Sequence, residues 1–345
     1  MASLFAAVEL APRDPILGLN EQFNADTNPA KVNLGVGVYF DENGKLPLLA
    51  CVKAAEALMM EAPKARNYLP IDGIAAYDSA VQDLVFGADH PVRKAGRIAT
   101  IQAVGGTGAL KVGADFLKRM NPAATVLISD PSWENHRALF EGAGFEVAAY
   151  PYYDAKARGV DVPGMLAALE AAAPGTVVVL HACCHNPTGY DIAAQDWPRI
   201  IEILRARNLV AFLDLAYQGF GDGIDEDGAV VRMCLEAGID FFIATSFSKS
   251  FSLYGERVGA LSVVCASKDE ASRVLSQLKR VIRANYSNPP THGAQVVTTV
   301  LGTPALRATW EKELAAMRGR IKQMRIALQH KLGKAGLKQD MSFIT

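Results

Sequence analysis

The feature that most constrains the fold is an alternation of short, β-rich apolar runs with segments long enough to form helices. The runs lack polar alternation and occupy residues 98–101, 125–129, 176–180, 209–213 and 241–245. Continuous apolar strands separated by helices are typical of a parallel sheet covered on both faces. The pattern therefore predicts a doubly wound α/β domain. Ligands of such sheets bind beyond the carboxyl ends of the strands.

The charge of the chain limits the classes of binding partner, and its cysteine content indicates the redox state of its cellular compartment. The 345 residues include 35 Lys+Arg and 36 Asp+Glu, for a net charge of −1, which gives no sign of nucleic acid or a membrane surface as a partner. No apolar run approaches the roughly 20 residues needed to cross a bilayer. The five cysteines are odd in number and lie mostly in apolar segments. Reduced thiols and a cytoplasmic location are expected.

The last 40 residues predict one long element and the start of another. Apolar residues recur at spacings of three and four from Leu306 to Leu332, which predicts a long amphipathic helix joining the main domain to a second one. After Lys334 the chain ends in Phe343-Ile344-Thr345, a segment that we interpret as the beginning of a strand.

A glycine-rich turn, Gly105-Gly106-Thr107-Gly108, follows the first predicted strand. Its glycines allow close approach of the backbone, and the N–H groups of a helix start favour a phosphate, although such a turn can also be merely tight. A dinucleotide fingerprint requires a third glycine where the chain has Lys111. A nicotinamide dehydrogenase, with Asp130 as its ribose acid, would also leave Asp214 and Lys249 without a role.

Three charged residues follow strands at the same predicted edge of the sheet. Asp214 closes the run at 209–213, where it either pins a loop or stabilises a cation such as a protonated heterocyclic nitrogen. Lys249 follows the run at 241–245; most lysines are solvated, but an amine with a lowered pKa here could form a Schiff base. Arg257 either clamps a phosphate or pairs with Glu256. With the glycine turn, these groups match what a pyridoxal phosphate site requires.

The segment after the run at 176–180 carries several potential ligands. His181, Cys183, Cys184 and His185 suggest a metal site, but adjacent cysteines on a strand point to opposite faces, so we predict no metal. The following Asn186 opens a turn in which its amide is free to orient a ligand.

Two aromatic side chains follow the strand that ends near Asp130. Trp133 offers a stacking face and His136 a partner for a ligand-binding group, or both simply pack in the core.

Over essentially its whole length, the chain resembles a class I (fold type I) aminotransferase of the bacterial aspartate and aromatic amino acid group. The segments that carry the resemblance are residues 105–110, 131–133, 183–189, 214–220, 246–249 and 283–290. Three others, 86–91, 116–119 and 252–257, look closer to the aromatic (tyrosine) branch. The resemblance implies a large, mostly parallel sheet domain and a small α/β domain. We predict an N-terminal arm with part of the small domain at 1–45, the large domain at 46–316, and further small-domain sequence at 317–345.

The resemblance also implies a role for each site residue. Lys249 would hold pyridoxal 5'-phosphate as a Schiff base and then move a proton between the substrate Cα and the cofactor C4′. Asp214 would pair with the pyridine nitrogen, with His136 behind it. Tyr217 and Asn186 would bind the phenolic oxygen. Trp133 would stack on the ring, and the phosphate would be held by Gly106, Thr107, Gly108, Ser246 and Arg257.

Homodimers with shared sites are typical of the resembled family. Tyr68 would then reach the neighbour's phosphate and Arg283 the neighbour's substrate, while Gly37 lines the entrance and Trp133 and Asn186 also touch substrate. A guanidinium at Arg283 pairs with a distal carboxylate, and it must swing away for an aromatic ring. Tyrosine, phenylalanine and also aspartate are the expected donors, with 2-oxoglutarate as acceptor and ping-pong kinetics.

Members of this family extend beyond the position of Thr345, and that extension carries the arginine that grips the substrate α-carboxylate. Loss of such a bidentate contact weakens substrate affinity and orientation. An alternative function is therefore a dimeric pyridoxal-phosphate-binding protein with little or no transaminase activity.

Overall fold

The computed structural model describes residues 3–12, 17–35, 37–63 and 65–345, with Leu17 described by its backbone only. The chain divides into two compact units, Met1–Pro47 and Leu48–Thr345. In the first unit, helix α1 spans Leu17–Ala25. A turn follows in which the Asp41 backbone N–H donates to the Lys45 carbonyl at 2.8 Å.

The second unit contains one large sheet, a small hairpin and the helices that cover the sheet. Its strands are β1 Ile98–Val104, β2 Thr125–Asp130, β3 Glu146–Pro151, β4 Tyr153–Asp154, β5 Gly159–Val160, β6 Val177–His181, β7 Val210–Leu215, β8 Phe241–Ser246 and β9 Val258–Val264. Its helices are α2 Ala50–Glu61, α3 Ala75–Phe86, α4 Pro91–Lys94, α5 Gly105–Met120, α6 Glu134–Glu141, α7 Val162–Ala171, α8 Trp197–Ala206, α9 Ile224–Asp227, α10 Ala229–Glu236, α11 Lys268–Asn285, α12 His292–Gly302 and α13 Pro304–Lys334.

The seven-stranded sheet has the order β1-β9-β8-β7-β6-β2-β3. In this sheet, β3, β2, β6, β7 and β8 pair in parallel, and β9 runs antiparallel to both of its neighbours. Every apolar run singled out in the sequence overlaps one of these strands. The predicted mostly parallel sheet is therefore confirmed.

Helices cover both faces of this sheet, as a doubly wound fold requires. Neighbouring residues of β8 point to opposite sides: the Phe242 ring lies 6.0 Å from Phe116 of α5, and the Phe241 ring lies 6.5 Å from Phe86 of α3. Helices α5, α6 and α11 contact one another, whereas α3, α7, α8, α10 and α12 form a second connected layer. This two-sided burial explains why the strands are apolar throughout.

One edge of the sheet gathers the chain segments that carry polar side chains. Strands β1, β2, β6, β7 and β8 all end at this edge, and the antiparallel β9 begins there. The register aligns Val104 with Val258 and Ser246 with Gly259, and it aligns His181 with Asp214. The glycine turn, Asp214 and Arg257 are therefore brought to one edge by strand pairing.

The predicted long helix is confirmed as α13, which runs from Pro304 to Lys334. Its first half is anchored because Trp310 stacks on Phe251 with ring centroids 4.7 Å apart and its Nε1 donates to the Ser250 carbonyl at 2.8 Å. Further along, Met324 and Leu328 are 46% and 49% exposed. The apolar stripe thus continues onto exposed surface in the second half of the helix.

The predicted strand at Phe343-Ile344-Thr345 is wrong, because Ser342–Ile344 forms a 3-10 turn. Local hydrogen bonds bend the backbone: Asp340 Oδ1 accepts from the Ser342 N–H at 2.9 Å, and the Thr345 N–H donates to the Ser342 carbonyl at 3.2 Å. Within the described ranges, no helix has both the length and the apolar character needed to cross a bilayer.

Candidate active site

A buried carboxylate and an imidazole form the centre of the site. Asp214, near the end of β7, is 5% exposed, and its Oδ2 lies 2.9 Å from Nε2 of His136 on α6. The opposite ring nitrogen of His136 lies 2.9 Å from the Ser132 hydroxyl. Burial alone would raise the pKa of Asp214, but the hydrogen bond and charge of His136, aided by His181 and Lys249, hold that pKa below its usual value. Asp214 therefore stays ionised and can stabilise a cation.

Lys249 lies just past β8, and its ammonium faces the inside of the site. Its Nζ lies 4.2 Å from the centre of the Tyr217 ring. Burial lowers the pKa of Lys249; Asp214 opposes this shift, and Arg257 adds to it. A larger fraction of this amine is therefore neutral near pH 7 than for a solvated lysine, and the neutral amine is the nucleophilic form.

The phenol of Tyr217 is close to both the lysine and the carboxylate. Burial, and then the charge of Asp214, raise the pKa of Tyr217 to about 12, while a hydrogen bond from Asn186 acts in the opposite direction. Tyr217 therefore stays protonated across the physiological range and can donate a hydrogen bond into the site.

The glycine turn begins α5 and is packed directly against Arg257. Gly105 has φ of 68°, and a Cβ there would lie 2.5 Å from Nη2 of Arg257. A Cβ on Gly259 would lie 2.4 Å from the Gly105 carbonyl carbon, so both glycines are required by close approach of the backbone. Arg257 is held by the Tyr254 carbonyl, which accepts from its Nη1 at 3.0 Å.

The remaining turn residues complete an anion-binding concavity. A Cβ on Gly106 would lie 3.1 Å from Cβ of Ser246, and one on Gly108 the same distance from Cβ of Val104. The Gly105 N–H donates to the Arg257 carbonyl at 3.0 Å. The N–H groups of Gly106 and Thr107, in the first turn of α5, have no intrahelical acceptor. Together with the Arg257 guanidinium they form a site for a phosphate.

Trp133 precedes α6 and is half-buried beside the imidazole. Its ring lies 5.2 Å from that of His136 in an edge-on arrangement. It packs against the core and still leaves part of its indole accessible, as a stacking platform requires.

Sequence analysis missed His181 and Asp191 as members of the site. Both ring nitrogens of His181 are buried, and neither has a hydrogen-bond partner in the described part of the chain. Burial, and then the charge of His136, lower the pKa of His181 to about 4. Asp191 accepts the backbone N–H groups of Cys184 and His185 at 2.7 Å each. No spacing in the sequence signals either role, because His181 meets His136 of another element and Asp191 reaches back within its own loop.

His185 anchors the loop that carries Asn186. One of its nitrogens lies 2.9 Å from the Ser129 hydroxyl and the other 2.8 Å from that of Thr188. Its ring stacks on Tyr152 with centroids 3.8 Å apart. These contacts use both nitrogens and a ring face, so His185 has a structural explanation.

The prediction that Cys183 and Cys184 point to opposite faces is wrong. Strand β6 ends at His181, and the backbone turns at Cys184, where φ is 50°. As a result, the two Sγ atoms and a carboxylate oxygen of Asp227 lie within 4.8 Å of one another. The period-two alternation of a strand does not apply to residues beyond its end.

Two predicted site residues of the second unit lie apart from this centre. Tyr68 is 91% exposed, and Arg283 is exposed at the end of α11 with its guanidinium hydrogen-bonded to Ser287. Gly37 is exposed and belongs to the first unit. The predicted roles of these three residues stay predictions.

Comparison with known proteins agrees with this geometry. Residues 29–343 match the aminotransferase class I and II family. An aspartate aminotransferase of Pseudomonas aeruginosa is 63% identical over 99% of this chain and 86% of its own length. The aromatic-amino-acid aminotransferase of Escherichia coli is 52% identical over 93% of this chain and 81% of its own.

A solved structure is also similar along nearly the whole chain. The aromatic-amino-acid aminotransferase of Burkholderia pseudomallei, covalently bound to pyridoxal phosphate, superposes with a TM-score of 0.97 and 65% identity over 99% of this chain and 86% of that one. With an acid, an amine and an anion-binding turn gathered at one edge of a fold type I sheet, this chain belongs to the class I and II aminotransferase family.

Proposed function

We propose that the protein is a pyridoxal-phosphate-dependent aminotransferase that transfers the amino group of tyrosine, phenylalanine and also aspartate to 2-oxoglutarate. The observation that carries the proposal is the position of Lys249, a half-buried amine with a lowered pKa beside an ionised Asp214. A solvated lysine would offer neither the neutral amine nor the adjacent carboxylate.

The residues at this edge suit the cofactor on three separate counts. The turn at Gly105–Gly108 offers the N–H groups of Gly106 and Thr107. The Arg257 guanidinium packs against this turn with no room for a Cβ on Gly105. Asp214 offers a carboxylate that is stable without its proton. Tyr217 and Asn186 offer donors for a phenolic oxygen, and Trp133 offers a face for an aromatic ring.

When bound, the cofactor supplies a conjugated, protonated ring that withdraws the electron pair left on the substrate Cα after its proton is removed. The chain's own groups prepare that chemistry. Asp214, oriented by His136, keeps a proton on the ring nitrogen by charge pairing. Lys249 Nζ is the group that would hold the cofactor, and as a free amine it would move a proton between the substrate Cα and the cofactor C4′.

Two observations support the proposed substrates, the names of the relatives and the presence of Arg283. The similar proteins are named as aspartate, tyrosine and aromatic-amino-acid aminotransferases. In our proposal, Arg283 pairs with a distal carboxylate of aspartate or 2-oxoglutarate and moves aside for an aromatic ring, because a buried unpaired guanidinium would be costly.

We further propose a homodimer with shared sites. Tyr68 and Arg283 lie on the surface, and no hydrogen bond or ion pair among the described residues joins either one to Asp214 or Lys249. Both side chains are long enough and exposed enough to act across an interface. Exposed apolar residues near Tyr68, including Met60 at 80% exposure, suit burial in such an interface.

Substitution of Lys249 tests the function directly. Purified protein loaded with pyridoxal phosphate should show a near-visible absorbance that borohydride bleaches, and Lys249→Ala should abolish it. Single-turnover mixing with tyrosine and, separately, with aspartate should convert the absorbance in the parent protein only. Lys94→Ala, at an exposed lysine paired with Asp89, is the matched control and should behave like the parent.

Two outcomes would count against the proposal. A colourless protein that binds a nicotinamide cofactor would indicate a dehydrogenase instead. An absorbance that depends on Lys249 but is converted by neither amino acid would favour the alternative, a cofactor-binding dimer without turnover.

A further inference from the structure

We propose that Cys183 and Cys184 form a dithiol site for trivalent arsenicals, and that arsenic bound there disturbs the adjacent Asn186–Tyr217 side of the active site. This site lies outside the amino-transfer chemistry proposed above, and it binds a different class of ligand.

The two sulfurs are placed to be bridged by a single atom. They belong to adjacent residues and lie within 4.8 Å of each other. All five cysteines of the chain are free, and the other three, Cys51, Cys234 and Cys265, are buried in separate parts of the fold. This pair is therefore the candidate for a dithiol reagent among the cysteines.

One carboxylate holds the loop that carries the pair, and a second holds the segment beside it. Asp227 accepts the N–H groups of Gly219, Gly221 and Asp222 in the neighbouring segment at 2.8, 2.9 and 2.9 Å. Asp191 accepts the N–H groups of Cys184 and His185, in the loop of the pair itself, at 2.7 Å each. Because the loop is fixed in this way, bridging the sulfurs requires little ordering of the chain, which favours tight binding.

The same contacts decide between ligand classes. A divalent cation such as Zn²⁺ prefers four ligands, and the Asp227 carboxylate, which has an oxygen within 4.8 Å of both sulfurs, already accepts three hydrogen bonds. A trivalent arsenical with one organic substituent needs only two sulfurs. The structure therefore favours the arsenical over the metal.

The order of attack follows from exposure. Cys184 is partly exposed, whereas Cys183 is 5% exposed. With an arsine oxide, R–As=O, Cys184 forms the first As–S bond and Cys183 the second. The arsenic–oxygen bond breaks, both thiol protons pass to the oxygen, and one water leaves. No atom changes oxidation state.

Arsenic bound to the two cysteines would change the position of nearby active-site side chains. Cys184 is two residues from Asn186, and the charge of Cys184 contributes to the raised pKa of Tyr217. An arsenic with its organic substituent adds bulk at this point, so the Tyr217 phenol and the Asn186 amide are displaced.

Phenylarsine oxide titrated into the holoenzyme tests the site. Intact mass should show one phenylarsenic group per chain, formed with loss of one water. A dithiol such as 2,3-dimercaptopropanol should remove it, whereas an equal concentration of thiol groups from 2-mercaptoethanol should not. Cys184→Ser should weaken binding by about 100-fold, because the second bond then has no intramolecular partner.

Matched variants make the result decisive. Cys234→Ser, which removes a buried single cysteine of α10, should bind like the parent. If Cys184→Ser does not fold, Cys183→Ala carries the same test. The proposal would be overturned if Cys184→Ser or Cys183→Ala bound phenylarsine oxide as tightly as the parent. It would also be overturned if 2-mercaptoethanol removed the arsenic as well as 2,3-dimercaptopropanol does. The mass measurement needs no turnover, so failure of the aminotransferase proposal would be seen separately.

Discussion

At the scale of single residues, burial decides which protonation states the site can use. Asp214 remains charged although buried, because His136 donates to it at 2.9 Å. Lys249 and His181 are shifted in the other direction, toward their neutral forms, since burial penalises a cation. A charged acid is thus placed beside a neutral imidazole and an amine whose pKa is lowered.

The buried His181 predicts a specific pH dependence of stability. Its pKa is about 4 when folded, against 6.5 for an ordinary histidine. Below pH 6.5 the imidazole of His181 takes up a proton in the unfolded chain but stays neutral in the folded chain. The contribution of His181 to the unfolding free energy is therefore complete above pH 6.5 and is lost as the pH falls toward 4. In His181→Asn, the unfolding free energy measured with urea between pH 4 and 7 should depend less steeply on pH than in the parent protein.

The exposed histidine of α13 supplies the control for this experiment. His330→Asn should keep the slope of the parent, because its ring is exposed in the fold. If His181→Asn and the parent lost unfolding free energy in parallel down to pH 4, the neutral buried state of His181 would be wrong.

At the scale of elements, helix α13 stabilises the start of α2 from a distance in sequence. Helix α2 begins at Ala50 without a side-chain cap of its own. Instead, Glu313 accepts the Ala50 N–H at 2.6 Å and the Cys51 N–H at 3.1 Å. The carboxylate satisfies two N–H groups of the first turn and lies at the positive end of the helix dipole.

Glu313→Ala is expected to lower the unfolding free energy by about 1–2 kcal/mol, because two N–H groups lose their acceptor. Urea unfolding monitored by circular dichroism measures this change. Glu311→Ala on the same helix is the control: it removes only an exposed ion pair with Arg307 and should cost no more than about 0.5 kcal/mol. Equal effects of the two substitutions would contradict the capping role.

The sequence predicted five strands correctly and one strand wrongly. The five apolar runs became β1, β2, β6, β7 and β8 because two-sided burial requires uninterrupted β-rich residues. The segment Phe343-Ile344-Thr345 is similarly β-rich, but it pairs with no strand among the described residues and is bent by the Asp340 side chain. Composition therefore predicted strands only where a sheet was present to complete them.

At the scale of the whole molecule, the proposed shared sites predict recovery of activity on mixing. Lys249→Ala and Arg283→Ala should each lower activity severely with a dicarboxylic substrate. When the two variants are unfolded together and refolded, each hybrid dimer should contain one intact site, formed by Lys249 of one subunit and Arg283 of the other. Transaminase assays with aspartate, before and after mixing, measure the recovery.

Controls for this mixing experiment come from the same variants. Refolding each variant alone should restore nothing, and a mixture of Lys249→Ala with a second Lys249 variant such as Lys249→Arg should also remain inactive. No recovery in the Lys249→Ala and Arg283→Ala mixture, with dimers present, would place both residues of a site in one subunit and contradict the shared arrangement.

The sequence by itself determined the parallel sheet, the long helix and the family, and it located Asp214, Lys249 and the glycine turn at strand ends. These follow from local patterns, since each group closes an apolar run or opens a helix. Only the tertiary structure decided that His181 is buried without a partner, that Asp191 and Glu313 hold backbone N–H groups, and that Cys183 and Cys184 face each other. These features depend on contacts between segments distant in sequence or on a turn beyond a strand end, which no periodicity encodes.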